Sequence, residues 1–167
     1  MADTGFKSPS SSTTGGWTDL SNCYSSNNVY ATTASTTFVS GDVSVFAFSV
    51  PSGATIDGIE ITAEFSLNGS VKTATVQLSI SGNGGAAYSA TKSNTVTGST
   101  DTVKTYGGPT DLWGEASFSE YGTQDGNFYV KVEGKTSNAA FLCRLDHIQV
   151  KIYYSENSSG FFLLMGA

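Results

Sequence analysis

The sequence predicts an all-β fold, an antiparallel β-sandwich or jelly-roll-like body of about eight strands. Three observations predict it: apolar and polar residues alternate in run after run, no stretch sustains a 3.6-residue apolar period, and the composition is that of polar strands. Gly, Ser, Thr and Asn are abundant while charged residues make up only 13%, so hydroxyls and amides carry most of the solvation. A chain of 167 residues can bury one two-layer core. The expected organisation is an N-terminal arm over residues 1–16, a sandwich domain over 17–154 and a C-terminal arm over 155–167.

Residues 1–16, MADTGFKSPSSSTTGG, offer almost nothing to bury, which predicts a flexible arm. The body starts near Trp17. After a weak run over 29–33, residues 43–50 are apolar on both faces until Pro51, Ser52 and Gly53 end them, as in a strand covered on both sides or by an arm. Ile59, Ile61, Ala63, Phe65 and Leu67 then alternate with Glu60, Thr62, Glu64 and Ser66, giving one buried and one wet face. Asn68, Gly69 and Ser70 turn the chain into a second alternating run, Ala74, Val76, Leu78 and Ile80, and the two runs read as an antiparallel hairpin. Residues 81–85, SGNGG, are loop.

Weaker runs over 88–92 and 101–106 come next. Residues 107–125 break the pattern: they are rich in turn residues and carry Trp113, a connection long enough to be a functional loop or a packed surface excursion. Phe128, Val130 and Val132 then alternate with Tyr129, Lys131 and Glu133. The last long run sets Ile148, Val150, Ile152 and Tyr154 against Gln149, Lys151 and Tyr153. No internal repeat of fixed period is present.

Catalysis has no visible machinery. His147 is the single histidine. It follows Asp146 in a strand pattern that sends neighbouring side chains to opposite faces, so Asp146 is poorly placed to orient it, and a strand-face hydrogen bond is its expected role. One histidine and two distant cysteines give no zinc spacing, and no Asp-x-Asp-x-Asp loop suggests calcium, so no metal or cofactor is expected. Glu60 and Glu64 share a strand face with Cα atoms about 13 Å apart, too far for either glycosidase geometry. No glycine pattern fits a phosphate cradle.

The net charge of -6, with eight Lys and Arg scattered singly, leaves no basic patch for nucleic acid. The one strongly apolar run is far shorter than the roughly 20 residues that span a bilayer, and the N-terminus has no apolar leader core. Neither a membrane partner nor secretion by a standard signal is expected. Cys23 and Cys143 read as buried free thiols, with one disulfide as the alternative.

Two features point to binding. Trp113, with Leu112 and Asp111 beside it, marks a candidate ligand or interface loop, because an aromatic face on a sandwich loop can stack on a sugar ring; Trp17 offers the same chemistry. Against that, a tryptophan in a small sandwich most often packs at the core or rim. The second feature is the apolar peg Phe161, Phe162, Leu163, Leu164 and Met165, which would invite association if left in water. It either folds back as an extra strand or docks on a neighbouring subunit or partner by strand addition or pocket insertion.

Four phrases recur in order along the chain: FSVPSGATIDGIE (48–60), GPTDLWG (108–114), NFYVKV (127–132) and LDHIQVKIYY (145–154). On them the chain, over roughly residues 17–154, resembles a β-sandwich found among virion proteins of tailed bacteriophages. The resemblance implies a capsid decoration (cement) protein, or a tail- or fibre-associated domain, and brings no catalytic residues with it. It further implies a homotrimer seated where copies of the major capsid protein or other virion proteins meet, on the particle surface, after assembly in the host cytoplasm. The expected function is non-enzymatic stabilisation of the shell by bridging subunits. The alternative is a tail- or fibre-associated module that binds carbohydrate.

Overall fold

A computed structural model describes residues 1–69 and 72–156. In chain order the strands are β1 (Ala2–Asp3), β2 (Ser11–Thr13), β3 (Ala31–Thr33), β4 (Val39–Ser44), β5 (Thr55–Leu67), β6 (Thr73–Ser81), β7 (Lys92–Thr97), β8 (Thr102–Gly108), β9 (Tyr129–Thr136) and β10 (Cys143–Ser155). One five-stranded sheet runs in the order β1, β10, β5, β8, with β3 also paired to β10; the other runs β2, β4, β9, β6, β7. All pairings are antiparallel, so the chain is the all-β sandwich its alternation predicts. The inward positions of β5 and β10, from Ile59 to Leu67 and from Ile148 to Ile152, share one buried cluster with Val76, Leu78, Ile80, Val130 and Val132 of the opposite sheet. Among the described residues no helix is long and apolar enough to cross a membrane.

Four expectations need correction. The predicted hairpin does not form: β5 pairs with β10 and β8, while β6 pairs with β9 and β7 in the other sheet. Alternation specifies which face of a strand is buried but not which neighbour completes its ladder. The two strands therefore face each other across the core instead of lying side by side.

Residues 43–50 are not one strand. β4 ends at Ser44, and Val45 and Ala47 take positive φ values of 60° and 52°. This is an unusual backbone for L residues, above all for a β-branched one. The apolar excess goes instead into an aromatic group at one end of the sandwich: Phe46 stacks on Phe48 at 5.3 Å, and Phe128 meets both edge-on. Similarly, the run over 88–92 is a connection, with the strand itself starting at Lys92.

Residues 1–16 are not a free arm. β1 pairs with the far end of β10, Lys7 and Val150 exchange backbone hydrogen bonds of 2.8 and 2.9 Å, and β2 extends the second sheet beside β4. Pro9 is buried, and Trp17 packs into the core with its indole N–H donating to the Val132 carbonyl at 3.1 Å. Gly134 leaves room for that ring, since a Cβ there would come within 2.7 Å of it. Low hydrophobicity misled the reading because this segment is held mainly by backbone ladders, which any sequence without proline at the donor positions can make.

Candidate functional site

The 107–125 excursion is packed down, not presented. Trp113 is 1% exposed, its indole N–H donates to the Ile59 carbonyl at 2.9 Å, and its backbone N–H donates to Asp111 Oδ1 at 2.8 Å. Asp111 also pairs with Lys92 at 2.8 Å, and Lys92 Nζ lies 5.2 Å from the centre of the Trp113 ring. Burial raises the Asp111 carboxyl, but hydrogen bonds from Lys92 and the Trp113 backbone outweigh it and hold the group below its ordinary range. Leu112 is half-buried against the core. Within the candidate ligand or interface loop of Trp113, Leu112 and Asp111, the sugar-stacking role is therefore corrected: both tryptophans pack in the core, and no indole face is free for a sugar at either Trp113 or Trp17. Phe161, Phe162, Leu163, Leu164 and Met165, the expected docking peg, lie outside the described residues.

His147 accepts or donates a 2.8 Å hydrogen bond between its Nε2 and the Ser8 hydroxyl. Asp146 does not orient it. A bulge between Leu145 and His147 leaves Asp146 under the segment 26–30, where its carboxylate receives the Asn27 N–H. Burial holds the imidazole below its ordinary pKa, against the opposing pull of Glu64 and Asp146. Glu60 and Glu64 are separately occupied, Glu60 by the Tyr153 hydroxyl and Glu64 by the Ser26 hydroxyl. Cys23 and Cys143 are free, fully buried thiols, each pushed up to about 12 by burial.

The best-formed concavity lies elsewhere, between the loop that follows β6 and residues 115–122, and encloses about 210 Å³. That volume suits a group of monosaccharide size, not a long buried ligand. One wall is rigid by construction. The Ser81 hydroxyl donates to Asn83 Oδ1 at 2.7 Å and accepts the Gly85 N–H at 3.0 Å, while Asn83 Oδ1 also accepts the Ala87 N–H at 3.0 Å. The floor is Phe118, set edge-on to Phe128 at 6.0 Å and lying so close over Gly82 that a Cβ there would come within 2.6 Å of the ring. At the rim, Tyr88 donates to Asp42 at 2.6 Å and carries Lys131 Nζ 3.7 Å from its ring centre.

Exposed polar groups also line the cleft. The Asn83 side-chain amide N–H groups, the Glu115 carboxylate and the Ser117 hydroxyl all line it, and none has a protein partner among the described residues. Sequence reading missed the cleft because its members come from two loops that alternation says nothing about. The SGNGG turn was visible, but not its neighbour across the gap.

No protein-family model and no curated protein matches the sequence. Solved structures similar to it include the CBM22-1 xylan-binding domain of Xyn10C from Paenibacillus barcinonensis, with TM-score 0.43, 12% identity, 93% of this chain and 97% of that one. A second is a family 16 carbohydrate-binding module, with TM-score 0.41, 11% identity, and 81% and 92% of the two chains. A third is TmCBM61 in complex with β-1,4-galactotriose, with TM-score 0.39, 10% identity, and 80% and 77%.

Proposed function

We propose that the protein is a non-catalytic binding module that takes a hydroxyl-rich sugar group in the cleft between the loop after β6 and residues 115–122. The observation that carries this reading is the meeting of unpaired donors and acceptors, from Asn83, Glu115 and Ser117, around the apolar edge of Phe118. Sugars present that same combination of hydroxyl rims and apolar C–H faces, and exposed polar groups that the protein does not itself pair are available to such hydroxyls. A glycan array followed by calorimetry tests it. Binding of a neutral oligosaccharide, weakened about tenfold or more by Glu115→Ala, is the expected result, since hydrogen bonds to charged groups are the stronger ones. An array without a hit, or an unaffected Glu115→Ala variant, overturns it.

A second reading, docking on a virion shell as a decoration protein, has one observation in its favour. Among the described residues β7 pairs only with β6 and β8 only with β5, and Val103 on β8 is 59% exposed, so this side of the sandwich offers two open strand edges. The opposite side is closed by the short strands β1, β2 and β3. Analytical ultracentrifugation separates the readings: a trimer dispersed by a Val103→Lys substitution favours docking, and a monomer at high concentration disfavours it.

A further inference from the structure

Three carboxylates far apart in sequence meet on the first sheet. Glu64 on β5, Asp101 immediately before β8 and Asp146 at the β10 bulge each contribute an oxygen, and the three oxygens lie within 4.8 Å of one another. The strand register explains the meeting. Glu64 is paired with Val103 on one side and His147 on the other, which places Asp101 and Asp146 in flanking positions on the neighbouring strands. The segment 26–30 lies across them and gives each one hydrogen bond: Ser26 hydroxyl to Glu64 at 2.9 Å, Asn27 N–H to Asp146 at 3.4 Å and Tyr30 hydroxyl to Asp101 at 2.9 Å.

Those bonds leave the charge unanswered. Asp146 is 1% exposed, and among the described residues its carboxylate receives a single hydrogen bond, the long one from Asn27 to Oδ1. Asp101 Oδ1 is sealed from solvent and has no partner among the described residues. No Lys or Arg forms an ion pair with any of the three; the one such pair among the described residues is Lys92 with Asp111. Arg144, the nearest basic residue in sequence, has its guanidinium over the Tyr30 ring at 4.9 Å. One buried and two half-buried carboxylates at this spacing repel one another, and a cation held among them relieves that repulsion.

We propose that Glu64, Asp101 and Asp146 form a calcium site. Ca²⁺ takes oxygen ligands at about 2.3–2.6 Å, so ligand oxygens on opposite sides of the ion lie about 4.6–5.2 Å apart, whereas around Mg²⁺ the span shrinks to about 4.0–4.2 Å. A spread of up to 4.8 Å leaves room for the coordination sphere of the larger ion. Its binding ties the segment 26–30 to three neighbouring strands at once.

The test uses the full chain, stripped with chelator and exchanged into metal-free buffer. Calorimetry with CaCl₂ should show one ion per chain, calcium should raise the melting temperature, and Glu64→Gln or Asp101→Asn should weaken binding about tenfold or more. Terbium in place of calcium should give luminescence excited through tyrosine, lost in Tyr30→Phe. Should Asp146→Asn fail to fold, the half-buried Glu64 and Asp101 variants still decide the matter. Absence of heat and of a melting shift at millimolar calcium overturns the proposal, and so does calcium binding that both variants leave unchanged. Asp101→Asn more stable than the wild-type chain with calcium present would identify a shared proton instead.

Discussion

Trp113 and Ile59 are joined by one hydrogen bond, in which the Ile59 carbonyl accepts the Trp113 indole N–H at 2.9 Å, and the Ile59 N–H donates to the carbonyl of Asp111, two residues before that tryptophan, at 3.0 Å. The excursion after β8 is thereby sewn onto the start of β5. Replacing the indole by a phenyl ring keeps most of the buried apolar surface but strips the Ile59 carbonyl of its side-chain donor. Trp113→Phe should cost about 1–3 kcal/mol in urea denaturation while leaving ligand binding in the 115–122 cleft unchanged.

Gly107 makes that junction possible. Its φ is 72°, and a Cβ there would collide with the Ile59 carbonyl and come within 2.7 Å of Trp113 Nε1. Gly107→Ala should destabilise the fold on the order of 2–4 kcal/mol, combining a strained backbone with displacement of the tryptophan. A thermal melt of the variant, with tryptophan fluorescence as the probe, should show both the loss and a shift toward the emission of a wetter indole.

The N-terminal segment should behave as part of the body. Trypsin should spare the bond after Lys7 in the native protein, because Lys7 is locked to Val150 in both directions. Deleting residues 1–10 should lower the melting temperature by about 5–10 °C, since it uncovers one side of β10 and removes the packing of Pro9. Rapid cleavage at Lys7 without loss of stability would contradict this.

Alkaline pH should weaken the fold through its thiols. Cys23 and Cys143 are pushed from 9.0 up to about 12 by burial, so unfolded chains release these protons first. The stability they contribute is complete below pH 9 and declines as pH rises toward 12. Burial pushes the Tyr106 hydroxyl up as well, in the same sense. Urea midpoints should fall between pH 8 and pH 10.5, less steeply in a Cys23→Ala/Cys143→Ala variant, and neither thiol should react with Ellman's reagent at pH 8 until urea is added.

How far the sequence could be read depended on where period-2 alternation operates. It located β5, β6, β9 and most of β10, because each has one face in the core and one in water. It could not show that β5 and β6 lie in opposite sheets, since either partner buries the same residues. The Asp146 bulge did leave a trace. Cys143 and Leu145 are buried at odd positions and Ile148, Val150 and Ile152 at even ones, a change of parity that requires an extra residue between them. The carboxylate cluster and the cleft around Phe118 stayed hidden because their members are brought together by register and by loop packing. The two tryptophans have the packing role that is usual in a small sandwich, and what the sequence could not show is that each indole N–H has a backbone carbonyl to serve.

β10 touches most of the first sheet, and it is made after every strand it pairs with. It supplies partners to β1, β3 and β5, so a ribosome that has delivered everything up to residue 142 holds a chain in which β1 and β3 have no ladder to join and one edge of β5 is open. Closure is therefore a late, long-range event that waits for β10 to leave the ribosome, and the unfinished chain is the species most in need of protection by chaperones.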